Sequence, residues 1–212
     1  MLPLIISIEG NIGAGKSTFL STLQSKLKDR DDICFLQEPV EEWKLITDES
    51  NMNILERFYL NKQKYSFAFQ MMAYITRLSN IKKACKNTKY KYIFTDRSLL
   101  TDKNVFTQML YDDKEMNEIE YNIYNRWFHE FLSFSNTFHF IYLKTSPEKA
   151  FERINIRSRK GEANIPLDYL EKCNQYHEKW LTSLKNVTIL DADQENTPSV
   201  VSSQIKDILY LL

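Results

Sequence analysis

Glycine is scarce in this chain of 212 residues: only four occur, and three of them, Gly10, Gly13 and Gly15, share one short loop. A chain this sparing with glycine has concentrated it where the backbone needs it. No Gly/Ser-rich linker, low-complexity tract or internal repeat divides the sequence, so one domain over residues 1–212 is expected. Cysteine is also sparse and odd in number. Cys34, Cys85 and Cys173 lie far apart, which excludes a disulfide framework and fits free thiols in a reducing compartment. None has a Cys or His neighbour at metal-ligand spacing, which argues against a zinc site. Charge of one sign is missing too. The 28 Lys and Arg balance 28 Asp and Glu, which argues against a dedicated nucleic-acid or membrane-surface binder but does not exclude a local basic pocket. No apolar run approaches the roughly 20 residues that span a bilayer. Leu2 to Ile8 is too short for a signal-peptide core and runs straight into the glycine loop. The expected compartment is the cytoplasm, with a processed mitochondrial form as the alternative.

What is present is an alternation of short apolar runs with longer helical patterns. The candidate strands are Leu4–Glu9, Ile33–Gln37, Tyr92–Thr95, Phe138–Leu143 and Val187–Leu190. Each is nearly continuously apolar and rich in β-branched or aromatic residues, as strands buried on both faces of a parallel sheet are. Between them, Met71, Ile75, Leu78 and Cys85 mark one apolar helix face, and Ile119, Ile123, Trp127 and Phe131 mark another at steps of four. Ser146-Pro147-Glu148 reads as an N-cap followed by proline at the first helical position. Ile165-Pro166 opens a further helix carrying Leu170, Trp180 and Leu184. Strand–helix alternation of this kind predicts a three-layer α/β fold with a parallel sheet.

Gly10-Asn11-Ile12-Gly13-Ala14-Gly15-Lys16-Ser17 matches G-x-x-x-x-G-K-S/T. It follows a candidate strand and opens a helix through Phe19, Leu20 and Leu23, which is the context a phosphate-binding loop requires. The glycines let successive backbone N–H groups turn inward around phosphate oxygens, and the helix N-terminus adds partial positive charge. Lys16 then reaches the β- and γ-phosphates, and the Ser17 hydroxyl ligates Mg²⁺, with Thr18 beside it. In an open parallel sheet ligands bind beyond the carboxyl ends of strands. Two acids fall there. Asp96, in Asp96-Arg97-Ser98, is placed to hold Mg²⁺, and Glu38, in Gln37-Glu38-Pro39, to take a proton from an attacking hydroxyl. The bland alternative for each is a helix cap. Arg153 and Arg157 share a helix face and Arg159 follows, with a polar stretch to Asn164; they read as a closing lid over residues 153–164 or as a solvated basic helix end.

These residues resemble the deoxynucleoside kinases, in the deoxycytidine/deoxyguanosine kinase branch, over nearly the whole chain. The resemblance is carried by Ile8-Glu9-Gly10-Asn11-Ile12 with its loop, Glu38-Pro39-Val40 with Trp43, Ser66-Phe67-Ala68-Phe69-Gln70, Asp96-Arg97-Ser98, and the arginine lid followed by Ile165-Pro166-Leu167. It implies a P-loop kinase fold with a five-stranded parallel sheet, in which the γ-phosphate of ATP, with Mg²⁺, goes to the 5′-hydroxyl of a deoxynucleoside for nucleotide salvage. Glu38 would be the general base, steadied by Arg97, with Lys16, Arg153, Arg157 and Arg159 around the phosphates. Gln70 would bond the base edge, Phe69 and Phe106 would stack on it, and Trp43 would line the pocket, while Phe67 is ordinary core. Tyr59 and Glu162 would bind the sugar 3′-hydroxyl, and the stretch from Asp191 to Asn196, Asp193 included, would pack near the ATP base. Ala73, Arg77 and Asp102 match a trio that goes with deoxycytidine and purine deoxynucleosides in the family, not thymidine. The partners implied are ATP, a small deoxynucleoside and a second copy of the chain through a helix–helix interface, with neither nucleic acid nor membrane. Asp96 stands where many relatives have glutamate. The competing reading is a nucleoside monophosphate kinase, which needs cations such as Arg77 and Arg97 for the acceptor's phosphate. A GTPase-like switch would want N-K-x-D, and Asn61-Lys62-Gln63-Lys64 ends in lysine.

Overall fold

The computed structural model describes residues 2–131, 138–157 and 165–193. Its centre is a five-stranded, all-parallel sheet in the order β2-β3-β1-β4-β5. The strands are β1 (Leu4–Glu9), β2 (Ile33–Leu36), β3 (Tyr92–Asp96), β4 (Phe138–Lys144) and β5 (Val187–Asp191). All five expected strands form, with ends shifted by at most a residue. Strand β1 is central, and Ile5, Ile6 and Ile8 are fully buried there. Each such burial contributes about 1.5–3 kcal/mol relative to exposure. The expectation of burial on both faces fails for β2 and β5. Among the described residues they are the sheet's edges, with one neighbour each, and Ile189 is 49% exposed.

Side chains alternate across the sheet, as period-two geometry demands. Ile6, Ile8, Ile141 and Leu143 pack against Phe19, Leu20 and Leu23 of α1 (Lys16–Lys26). Ile5, Ile93, Phe138, Phe140 and Tyr142 pack on the opposite side. That layer draws on α4 (Lys62–Cys85), α7 (Glu118–Phe131) and α9 (Leu167–Leu181). Shorter helices α2 (Val40–Lys44) and α3 (Ile54–Leu60) lie between β2 and α4. After β3, α5 (Leu99–Thr101) passes through a π-helical stretch, Asp102–Thr107, into α6 (Gln108–Asp112). Helix α8 (Pro147–Arg157) starts at Pro147, as the proline position predicts, with the Lys149 N–H donating to Ser146 Oγ.

Two helix faces differ from the expected ones. On α7 the buried residues are Tyr124 and Phe128, while Ile119, Ile123 and Trp127 are 73%, 40% and 45% exposed. The large rings of Tyr124 and Phe128 pack with Tyr74 of α4, whose hydroxyl donates to Trp127 O at 3.1 Å, and this pairing sets the rotation of α7. On α4 Leu78 is buried as expected, but Ile75 is exposed, because the inward stripe runs through Phe69, Gln70, Ala73, Tyr74 and Arg77. Polar residues displace apolar ones from part of that stripe, so a hydrophobicity pattern misplaces it.

Candidate active site

Parallel strands bring their carboxyl ends to one edge of the sheet, and β1, β2 and β3 deliver there the glycine loop, Glu38, and Asp96 with Arg97. The loop is tied down on every side. Gly13 has φ +82°, and a Cβ there would sit 2.4 Å from Ala150 O, so α8 packs directly on its backbone. Asn11, expected to touch nucleotide, faces inward: its amide donates to Leu170 O at 2.8 Å and its side-chain oxygen accepts from the Ile12 N–H at 2.9 Å. Gly10 and Ala14 also lie behind the loop, packed together at its root. The cavity wall itself is Ile12, Gly13, Gly15, Lys16, Ser17 and Thr18.

Lys16 is buried and donates to Asn11 O at 2.7 Å. Burial, with the nearby Arg97 charge, pulls its ammonium down to about 7, against the opposing pull of Asp96, Glu38 and Glu9. A phosphate arriving here would restore the missing negative partner. Ser17 Oγ donates to Asp96 Oδ2 at 2.6 Å, while the buried Asp96 Oδ1 has no hydrogen-bond partner among the described residues. A hydroxyl beside a carboxylate with an unsatisfied oxygen suits Mg²⁺, which takes few protein ligands and fills its octahedron with water and phosphate.

The acceptor side is held by ion pairs. Glu38 Oε1 accepts from Arg77 Nη2 and, at 3.0 Å, from Arg97 Nη1. Arg77 donates its other terminal nitrogen to Asp102, and its guanidinium lies over the Trp43 ring. Burial would lower the guanidinium of Arg77, but Asp102 and Glu38 outweigh it and hold it above its ordinary value. Arg97 is likewise raised, burial being offset by Glu38 and Asp96. Burial pushes Asp102 up to about 6, against the pull of Arg77. The aromatic wall is equally ordered. Phe69 stacks on Phe58 at 4.7 Å and meets Trp43 edge-on, while Arg97 lies over Phe106 at 5.2 Å. Gln70 Oε1, Arg97 Nε and Arg97 Nη2 are buried without partners among the described residues, and both side chains line the cavity.

One cavity therefore gathers Lys16, Ser17, Glu38, Trp43, Tyr59, Phe69, Gln70, Ala73, Arg77, Asp96, Arg97, Asp102, Phe106 and Arg157. Arg153 is not on its wall: its guanidinium donates to Ala192 O at 2.8 Å, tying α8 to the end of β5. Asp193 sits at the same end, its carboxylate accepting from the Ser146 N–H at 2.7 Å. Arg159 and Glu162 lie outside the described residues, as does 194–196 of the stretch expected near the ATP base. The cavity adds Leu55, Phe58, Tyr169 and Val40, which sequence reasoning did not place in the site. A signal for the first two was present: Asn53-x-x-Glu56 is a capping box that opens α3 and turns Leu55 and Phe58 to one face. Tyr169 had no such mark.

Comparison with known proteins agrees with this geometry. The family model described as deoxynucleoside kinase matches residues 6–210. Mouse (Mus musculus) deoxycytidine kinase is 36% identical over 208 residues, covering 90% of this chain and 80% of that protein. Mitochondrial deoxyguanosine kinase of Xenopus laevis is 32% identical over 222 residues, covering 95% and 82%. A fowlpox virus protein named probable deoxycytidine kinase is 33% identical over 218 residues, covering 96% and 87%.

Proposed function

This chain belongs to the deoxynucleoside kinase family, a family of ATP-dependent phosphotransferases, and from that premise we propose that it phosphorylates the 5′-hydroxyl of deoxycytidine or a purine deoxynucleoside in preference to thymidine, as a nucleotide-salvage step. The observation that carries the reading is Glu38 lining the same cavity as Lys16, with two arginines converging on its carboxylate. A hydroxyl attacking phosphorus must lose its proton, and Glu38 is the carboxylate at hand to receive it. The new bond joins the 5′-oxygen to the γ-phosphorus, the bond from that phosphorus to the β,γ-bridging oxygen breaks, and ADP leaves. Lys16 and Arg157 offset the charge that builds on the phosphoryl group. Arg97 orients Glu38 from one side and keeps buried N–H groups for the reacting oxygens. Ser17 and Asp96 would hold Mg²⁺, which when bound neutralises phosphate charge and aligns the triphosphate.

On the base side, the unpaired Gln70 Oε1 and the Arg77–Asp102 pair offer acceptor and donor together beside the Phe69 and Phe106 faces. A side-chain set of this kind suits an amino-bearing base edge; small Ala73 leaves room, but the charged pair would crowd the thymine methyl. The reading as a nucleoside monophosphate kinase needs cations free to hold an acceptor phosphate. Arg77 is taken by Glu38 and Asp102, and Glu38 would repel that phosphate. We include a homodimer in the proposal, since α7 turns Ile119, Ile123 and Trp127 outward in one row, as a helix–helix interface would require. No helix among the described residues is long and apolar enough to cross a membrane.

The decisive experiment assays phosphate transfer from ATP to the four deoxynucleosides, with deoxycytidine monophosphate as a fifth acceptor. Transfer to deoxycytidine or a purine deoxynucleoside is expected. Transfer only to the monophosphate would overturn the reading.

A further inference from the structure

A buried carboxylate outside the cavity wall is not used by this chemistry. Glu9 ends β1, one residue before the glycine loop, and is fully buried. Its Oε1 accepts from Ser7 Oγ at 2.6 Å, from Ser98 Oγ at 2.7 Å and from the Ser98 N–H at 3.1 Å, and its Oε2 accepts from Thr101 Oγ1. Among the described residues these partners are hydroxyls and one amide, with no ion pair. Burying a carboxylate costs free energy that hydrogen bonds only partly offset, and an apolar or neutral residue would fill the space more cheaply.

What Glu9 grips is the turn that leaves β3. Arg97 in that turn has φ +64°, a left-handed conformation that an arginine avoids unless its surroundings impose it. The turn is imposed from β1: the Arg97 N–H donates to Ile8 O at 3.0 Å, and Ser98 is bound twice by Glu9. Thr95 Oγ1 closes it by donating to Arg97 O at 3.0 Å. The two residues before Ser98 are those the reaction depends on. Asp96 meets Ser17 of the phosphate loop, and Arg97 meets Glu38. Glu9 therefore fixes, from the root of one half-site, the turn that organises the other.

We infer that Glu9 is a positioning residue for phosphoryl transfer, setting the Asp96-Arg97-Ser98 turn against the phosphate loop so that the metal-side carboxylate and the arginine partner of Glu38 stand in register. The inference rests on the kinase reading above. A displacement of about 1 Å in such a register can cost on the order of 100-fold in rate. Among the described residues the hydrogen bonds of Glu9 go to Ser7, Ser98 and Thr101, none of which lines the cavity, so substrate affinity should survive.

The test compares full-length wild type with Glu9→Gln, Ser98→Ala, their double variant and the milder Thr101→Val. Steady-state kinetics should show kcat in Glu9→Gln down roughly 10- to 100-fold, with KM for nucleoside and ATP within about threefold. Ser98→Ala should fall in the same direction, and the double variant should be no worse than the poorer single one, because both break one link. Thr101→Val keeps side-chain volume and guards against loss of folding; its kcat should fall by a smaller factor. Amide hydrogen exchange gives a readout independent of turnover, with faster exchange in Glu9→Gln confined to the segment 96–98 and the loop 10–17. A lowered melting temperature with unchanged kcat in the folded variants would overturn the inference, as would independent, multiplying losses in the double variant. Wild type without transfer activity would sink the kinase reading instead, and the exchange pattern would still decide whether Glu9 holds the turn.

Discussion

Two guanidinium groups converge on one oxygen of Glu38; that of Arg77 is also bound by Asp102, and Arg97 has its backbone fixed in the turn after β3. A side chain held this way gains orientation, and removing only its basicity should be informative. Glu38→Gln is expected to lower kcat roughly 100- to 10,000-fold while calorimetry finds ATP affinity little changed. Loss of ATP binding in parallel would place Glu38 in the donor site instead. The base-edge trio is testable at the same scale. In Ala73→Val, Arg77→Met, Asp102→Ala, the ratio of kcat/KM for thymidine over deoxycytidine should rise by about 100-fold or more. Absolute kcat should drop as well, since Arg77 is also a partner of Glu38. An unchanged ratio would count against the pocket assignment.

Among the elements, α9 closes the site from behind and carries a group with a pH signature. His177 is fully buried, its Nδ1 bonded to Cys173 O at 2.7 Å, and its ring lies edge-on to Phe106. Burial holds its imidazole down to about 3, the Cys173 carbonyl working against that and the Arg97 and Lys16 charges adding to it. The unfolded chain, with an ordinary imidazole near 6.5, takes up the proton first. Stability present above about pH 6.5 is therefore lost as pH falls towards 3, by up to about 5 kcal/mol from this residue. Denaturant unfolding across that range should show the decline, and His177→Leu should flatten it. An identical slope in the variant would assign acid sensitivity elsewhere. Helix α4 shows why element faces were harder to read than element positions. Its buried stripe includes Ser66, Gln70 and Arg77, polar residues turned inward to serve a cavity, and a period-based reading counts those as outward.

At the scale of the whole molecule, a row of apolar side chains on α7 is turned to solvent, and a second copy of the chain is the proposed cover. Wild type should sediment at twice 25.2 kDa, and Trp127→Glu should shift it towards the single-chain mass; a wild-type monomer at working concentration would end that proposal. The sequence by itself determined the sheet, the glycine loop and the strand-end acids, because each depends on local chemistry: continuous apolar runs, backbone freedom at glycine, and a carboxylate just past a strand. Only the tertiary structure decided that Asn11 turns inward, that Arg153 ties down the end of β5, that Tyr169 joins the wall, and that Glu9 grips Ser98 across 89 residues of sequence. Those outcomes hang on which elements become neighbours and how each helix is rotated. Large rings, ion pairs and hydrogen bonds between distant segments settle that, and they leave no periodic trace along the chain.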